Sequence, residues 1–164
     1  MQNRFLLWIP FLLLPFSANS QSIGSYRIDL ENGKSVRISD LTANGPLIIT
    51  FWALWCKPCL AEMKTFPSLL EKFRESGLTI LAVNQDSPKS TAKIKSFLKT
   101  NGLDVVLALD SESEVLSRFN GEAIPLTLLV DQTGTVVYRQ TGYFPGDEAK
   151  LETAIQLLLA GKGQ

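Results

Sequence analysis

The run Leu47-Ile48-Ile49-Thr50-Phe51-Trp52 is almost wholly apolar and shows no polar–apolar alternation. A strand apolar on both faces has to be covered on both, which places it inside a layered α/β architecture. It continues through Ala53-Leu54-Trp55 into Cys56-Lys57-Pro58-Cys59, which holds the only cysteines of the chain. Two cysteines three apart can meet at the first turn of a helix, where unpaired backbone N–H groups and the positive end of the dipole stabilise a thiolate. That setting lowers a thiol pKa from ~8.5 to ~3.5–7.5 and makes a nucleophile at neutral pH. Pro58 suits the turn because its missing N–H is not needed there and its fixed φ is already helical. The expected chemistry is that of a redox dithiol.

Three plainer uses of the pair compete with this one. A structural staple closing so small a loop removes little entropy from the unfolded chain. A structural zinc needs four ligands, and the chain has no histidine and no third cysteine. Two ordinary buried thiols would be unremarkable, since free cysteine is often buried, but the Lys57-Pro58 insert and the flanking tryptophans argue against it.

The absence of histidine also removes Ser-His-Asp and Cys-His mechanisms. Lys and Arg total 16, as do Asp and Glu, so the chain carries no electrostatic footprint for nucleic acid or an anionic membrane surface. With 164 residues, 45% of them hydrophobic, one domain over residues 21–164 is expected. Ahead of it, Arg4, the apolar residues 5–16 and Ala18-Asn19-Ser20 have the pattern of an export signal cleaved after Ser20. Its apolar run falls short of the ~20 residues a spanning helix needs, so retention as an anchor is the lesser expectation. No cysteine follows the run to accept a lipid. A periplasmic or otherwise extracytoplasmic space is oxidising, and one close-spaced cysteine pair in an exported chain fits a redox centre better than a staple framework.

Read in order, residues 26–30 and 35–38 alternate polar with apolar around Asn32-Gly33, a strong hairpin signal. After the cysteines, Met63, Phe66, Leu69, Leu70 and Phe73 recur at helical spacing, with Pro67 expected to kink or restart the helix. Residues 78–84 form a second buried strand, and Gln85-Asp86-Ser87-Pro88 should open a helix carrying Ile94, Phe97 and Leu98. Residues 105–109 form a third strand, with Asp110 and Ser111 as candidate caps for a short helix lined by Val115, Leu116 and Phe119. This β-α-β-α-β-α series predicts parallel strands with right-handed crossovers and helices on both faces. Strands over 126–130 and 135–140, joined at Asp131-Gln132-Thr133-Gly134, and an amphipathic helix through Leu159 complete the chain. In such a sheet chemistry gathers beyond the carboxyl ends of the strands, where Cys56 lies.

Trp52-Ala53-Leu54-Trp55-Cys56-Lys57-Pro58-Cys59 resembles the active-site segment of thioredoxin-fold proteins. The hairpin, Glu62 and the export signal are similar to the TlpA/ResA branch of extracytoplasmic thiol-disulfide oxidoreductases. The likeness runs from about residue 23 to 159 and includes Gly121-Glu122-Ala123-Ile124-Pro125 before a strand. It implies an α/β thioredoxin-like fold: a central mixed sheet flanked by helices on both faces, with an added N-terminal β-hairpin. It also implies Cys56 as attacking thiolate, Cys59 as resolving thiol, and a cis Pro125 facing the dithiol. Ile124 would offer its backbone to a substrate strand, with Trp55, Lys57 and Pro58 around it. Thioredoxin keeps a buried aspartate where this chain has Thr50, leaving Glu62 as the group expected to move the proton of Cys59. An exposed Glu62 serving only solubility is the plainer alternative, as is a trans Pro125 that merely opens a strand.

The resemblance implies a reductant of disulfides in exported proteins, for example in cytochrome c maturation, with no cofactor beyond a redox-active Cys56–Cys59 disulfide. Its partners would be that exported disulfide substrate and a membrane thiol-electron transporter that supplies electrons. A disulfide-donating oxidase, a Cu(I)-binding module and a peroxidase are the competing expectations.

Overall fold

The computed structural model describes residues 22–161; the export signal and its Ser20 cleavage point lie outside these residues. Two short strands, β1 (Arg27–Asp29) and β2 (Ser35–Arg37), pair antiparallel as the Asn32-Gly33 turn predicts, with Gly33 at φ 80°. The chain then enters a one-turn helix, α1 (Ile38–Leu41), which takes in Ile38, read from the sequence as the end of the second strand. Asp40 accounts for it: its carboxylate accepts the Arg37 N–H at 3.0 Å at the helix start.

The central sheet has five strands in the order β5-β4-β3-β6-β7: β3 (Leu47–Trp52), β4 (Thr79–Asn84), β5 (Val106–Leu109), β6 (Leu126–Val130) and β7 (Val136–Thr141). β3, β4 and β5 are parallel, as the β-α-β-α-β series predicts, while β6 runs antiparallel to β3 and β7 antiparallel to β6. The sheet is therefore mixed. The antiparallel part arises because no long helix crosses over between α5 (Glu114–Arg118) and β6, and because a tight turn at Asp131 joins β6 to β7. Asp131 organises that turn by accepting the N–H groups of Thr133 and Thr135.

Alternate residues of β3 serve opposite layers. Ile48 and Trp52 pack beneath α2 (Lys57–Met63), α3 (Phe66–Lys72), α4 (Thr91–Thr100) and α6 (Glu148–Ala160), through Met63, Phe66, Leu69, Ile94, Leu98 and Ile155. Leu47, Ile49 and Phe51 face the hairpin, α1 and α5, through Ile28, Ile38, Leu116 and Phe119. Each such fully buried large side chain contributes roughly 1.5–3 kcal/mol. Pro67 restarts the helix as α3 after a break at Lys64 and Thr65, as its missing N–H predicts. The next helix begins later than expected: Pro88–Ser90 form a 3-10 turn before α4 starts at Thr91. Gly45 lies against Ser76 and Gly77, where a Cβ would fall 2.2 Å from the Ser76 carbonyl oxygen. No helix among the described residues is long and apolar enough to cross a membrane.

Candidate active site

Cys56 caps α2, its Sγ accepting the Cys59 N–H at 3.3 Å, and Pro58 occupies the first turn as the sequence requires. The two cysteines are joined in a disulfide. Cys56 is 6% exposed and Cys59 fully buried, so an incoming group meets Cys56 first. Lys57 and Pro58 are exposed beside it, and Trp55 is 68% exposed.

Across from the cysteines the Ile124–Pro125 bond is cis. The Ile124 carbonyl oxygen lies 3.8 Å from Cys56 Sγ. Pro125 is held from its other side by the Gly142 N–H, which donates to its carbonyl at 2.8 Å. Trp55 and Ile124 join Gln85, Ser113, Glu122 and Ala123 around an open cleft of about 490 Å³ that begins at this pair. Of the sequence-predicted residues, Trp55 and Ile124 line this cleft, Cys56 lies against the Ile124 carbonyl, Lys57 and Pro58 are exposed next to Cys56 in the chain, and Cys59 and Glu62 are buried.

Glu62 stands one helical turn after Cys59 and is 4% exposed. The pleat explains its surroundings. Thr50 points to the same side of β3 as Ile48 and Trp52, and it is register partner to Thr127 on β6. Both hydroxyls therefore rise toward α2: Thr127 Oγ1 donates to Glu62 Oε1 at 2.8 Å and Thr50 Oγ1 to Oε2 at 3.3 Å. Burial pushes the Glu62 carboxyl up to about 7 against the two hydroxyl bonds, which pull it down, and the Asp147 carboxylate adds to the rise. A carboxyl with that pKa can take up or release a proton at neutral pH.

Two supports, Asp86 and Thr127, escaped the sequence reading. Asp86, taken there as part of a helix start, instead accepts the Leu54 N–H at 2.7 Å and fixes the turn that carries Cys56. Its carboxylate is held by Asn84 Nδ2 at 3.0 Å, while its own N–H donates to Asn84 Oδ1. Asp110 does cap α5, but from three residues before the Ser113 cap position, accepting the N–H groups of Val115 and Leu116; Ser111 takes no such part. Thr127 was read only as a strand residue. An isolated polar position in each of two apolar strands was the one available signal for Thr50 and Thr127.

A helix-capping cysteine pair at the carboxyl edge of β3, faced by a cis proline that opens an antiparallel strand, defines a thioredoxin-like dithiol protein. The chain belongs to the AhpC/TSA family, whose sequence profile matches residues 19–139. It is 32% identical over 114 residues to the thiol-disulfide oxidoreductase ResA of Bacillus cereus, covering 70% of this chain and 64% of that protein. The ResA of Geobacillus thermodenitrificans is 33% identical over 122 residues, covering 74% and 68%. The chain thus spans a little under two thirds of the length of the former relative. Among solved structures, a Chlorobium tepidum protein assigned as the thiol:disulfide interchange protein DsbE superposes with a TM-score of 0.74 at 25% identity, covering 85% of this chain and 96% of that one. A thioredoxin-like protein from Porphyromonas gingivalis does so at 0.68 and 33%, covering 82% and 89%.

Proposed function

We propose that the protein is an extracytoplasmic thiol-disulfide oxidoreductase that reduces disulfides in exported proteins, cytochrome c maturation being one such setting. The observation that carries this reading is the stacking of three groups along one helix: an outward Cys56, a buried Cys59 and a buried Glu62 that titrates near neutrality. The names of the relatives, thiol-disulfide oxidoreductase and thiol:disulfide interchange protein, support the same class.

In the reduced protein the Cys56 thiolate attacks one sulfur of the substrate disulfide, and the other sulfur leaves as a thiolate and takes up a proton. Cys56 is then joined to the substrate in a mixed disulfide. Cys59 gives its proton to the Glu62 carboxylate, and the resulting thiolate attacks Cys56 Sγ. The second substrate thiolate departs, two electrons have passed to the substrate, and the protein holds its Cys56–Cys59 disulfide. Trp55, Lys57, Pro58 and Ile124–Pro125 form the rim on which the substrate lies, the backbone of Ile124 pairing with an extended segment. No cofactor beyond the dithiol takes part. In an oxidising space the reduced state must be replenished, so a membrane thiol-electron transporter is the partner this chemistry requires.

Cys59→Ser tests the scheme. It should leave attack intact and resolution blocked, so that exported proteins accumulate covalently bound to Cys56 on non-reducing gels. Absence of any adduct from Cys59→Ser, with wild type equally inert toward disulfides, would contradict the reading.

A further inference from the structure

Glu62 is sealed from the rim where substrate lies, yet each turnover in this scheme loads it with a proton that must leave before the next. Below it is a second opening that the reaction does not otherwise use. Glu62 and Thr127 line a cavity of about 10 Å³ together with Tyr138 and Gln140 of β7, Tyr143, and Asp147 and Glu148 at the start of α6. That is roughly the volume one water needs.

A continuous line of polar groups runs from this cavity to the surface. The Tyr138 hydroxyl donates to Gln140 Oε1, and Gln140 Nε2 donates to Asp147 Oδ2 at 3.0 Å. Asp147 Oδ1 accepts from Lys150 Nζ at 2.6 Å, and that lysine side chain is 70% exposed. The Phe144 N–H donates to Asp147 Oδ2 at 2.9 Å, fixing the carboxylate at the cavity mouth. On the other wall the Tyr143 hydroxyl donates to Glu148 Oε2 at 2.6 Å. The titratable groups that line this cavity with Glu62 are thus Tyr138 from β7, Tyr143 from the following loop, Asp147 at the N-cap of α6 and Glu148 in its first turn, with Lys150 paired to Asp147 on the outside.

We infer that this cavity is the route by which Glu62 exchanges its proton with solvent, with Tyr138, Gln140 and Asp147 as positioning residues along it. The inference rests on the thiol-disulfide reading for its purpose, but the route itself is a property of the carboxyl group. Glu62 gives its proton to a water in the cavity as that water gives one of its own to the Asp147 carboxylate, which lines the same cavity; Tyr138 orients Gln140 and carries no proton. Gln140 holds the geometry and Asp147 receives the proton at the mouth, returning it to bulk water. No electron moves in this step. The Asp147 carboxylate is kept below the ordinary range chiefly by its bond from Lys150, so it stands empty and ready at neutral pH. Its negative charge also holds Glu62 protonated to higher pH.

The test reads the carboxyl directly, by infrared and carbon-labelled NMR on the reduced mature chain. In Asp147→Asn the Glu62 titration should move to lower pH, because a facing negative charge is gone, and Asp147→Glu should restore it. In Gln140→Leu the exchange of the Glu62 carboxyl proton with deuterated water should slow at least tenfold, with circular dichroism and Thr127 signals unchanged. An unshifted titration in Asp147→Asn, or exchange at the wild-type rate in Gln140→Leu, overturns the inference. A wild type that titrates and exchanges as expected while reducing no disulfide leaves the route standing and defeats the proposed function instead.

Discussion

Thr127 Oγ1 sits 2.8 Å from Glu62 Oε1 and joins the antiparallel strand β6 to the helix that carries both cysteines. The same hydroxyl lies 3.3 Å from Thr50 Oγ1, and having one proton it donates to the nearer, charged acceptor. Thr127 thereby lowers the pKa that burial raises.

Replacing Thr127 by valine keeps the shape and deletes the donor. The Glu62 carboxyl should then titrate above its value of about 7, because one of the two bonds favouring the carboxylate is gone. The pH profile of mixed-disulfide resolution should move to higher pH by up to about one unit, measured by stopped-flow with a fluorescent disulfide. A profile that stays in place would remove Thr127 from the site.

Glu62 also predicts how stability varies with pH. Its folded pKa of about 7 lies above the reference 4.5, so the folded state binds the extra proton between those values. Relative to Glu62→Gln, wild type should keep its full stability below pH ~4.5 and lose about 3 kcal/mol as pH rises to ~7, in order of magnitude. Urea unfolding of both proteins from pH 4 to 8 checks the sign: the gap must change in favour of the variant as pH rises.

Much of this arrangement was readable from residues alone, and the parts that were not share a cause. The buried strand, the capping cysteines, the hairpin at Gly33 and the restart at Pro67 each follow from local rules, because the residues that decide them are neighbours in sequence. Glu62 and Pro125 were singled out by resemblance, and their burial and cis geometry agree with it. Asp86 could not be read that way: it acts on Leu54, 32 residues earlier, and only the parallel register of β3 and β4 brings the two together. Thr127 and Asp147 likewise reach Glu62 through strand order, which local patterns do not specify.

Asp86→Ala should show what that long-range contact does. It leaves the part-buried Leu54 N–H and the buried Asn84 amide without their acceptor, at a cost of ~1–3 kcal/mol by urea unfolding. Freed from its clamp, the turn before Cys56 should hold the thiolate less well, and attack by Cys56 should slow while resolution by Cys59 changes less. Equal slowing of both steps would assign Asp86 a general structural role.

Gly45→Ala probes the far end of the sheet. A Cβ there meets the backbone of Ser76 and Gly77 at 2.2 to 2.6 Å, which no side-chain rotation relieves. Destabilisation of about 1–3 kcal/mol is expected, with the exchange rate of the folded fraction unaltered.

The most direct measurement is the equilibrium potential of the Cys56/Cys59 pair in the protein, read against dithiothreitol or glutathione buffers. A reductant of exported disulfides should stand near or below thioredoxin's value of about −270 mV. A value near the ~−120 mV of DsbA would mean that the pair gives its disulfide away, contradicting the proposed direction of electron flow.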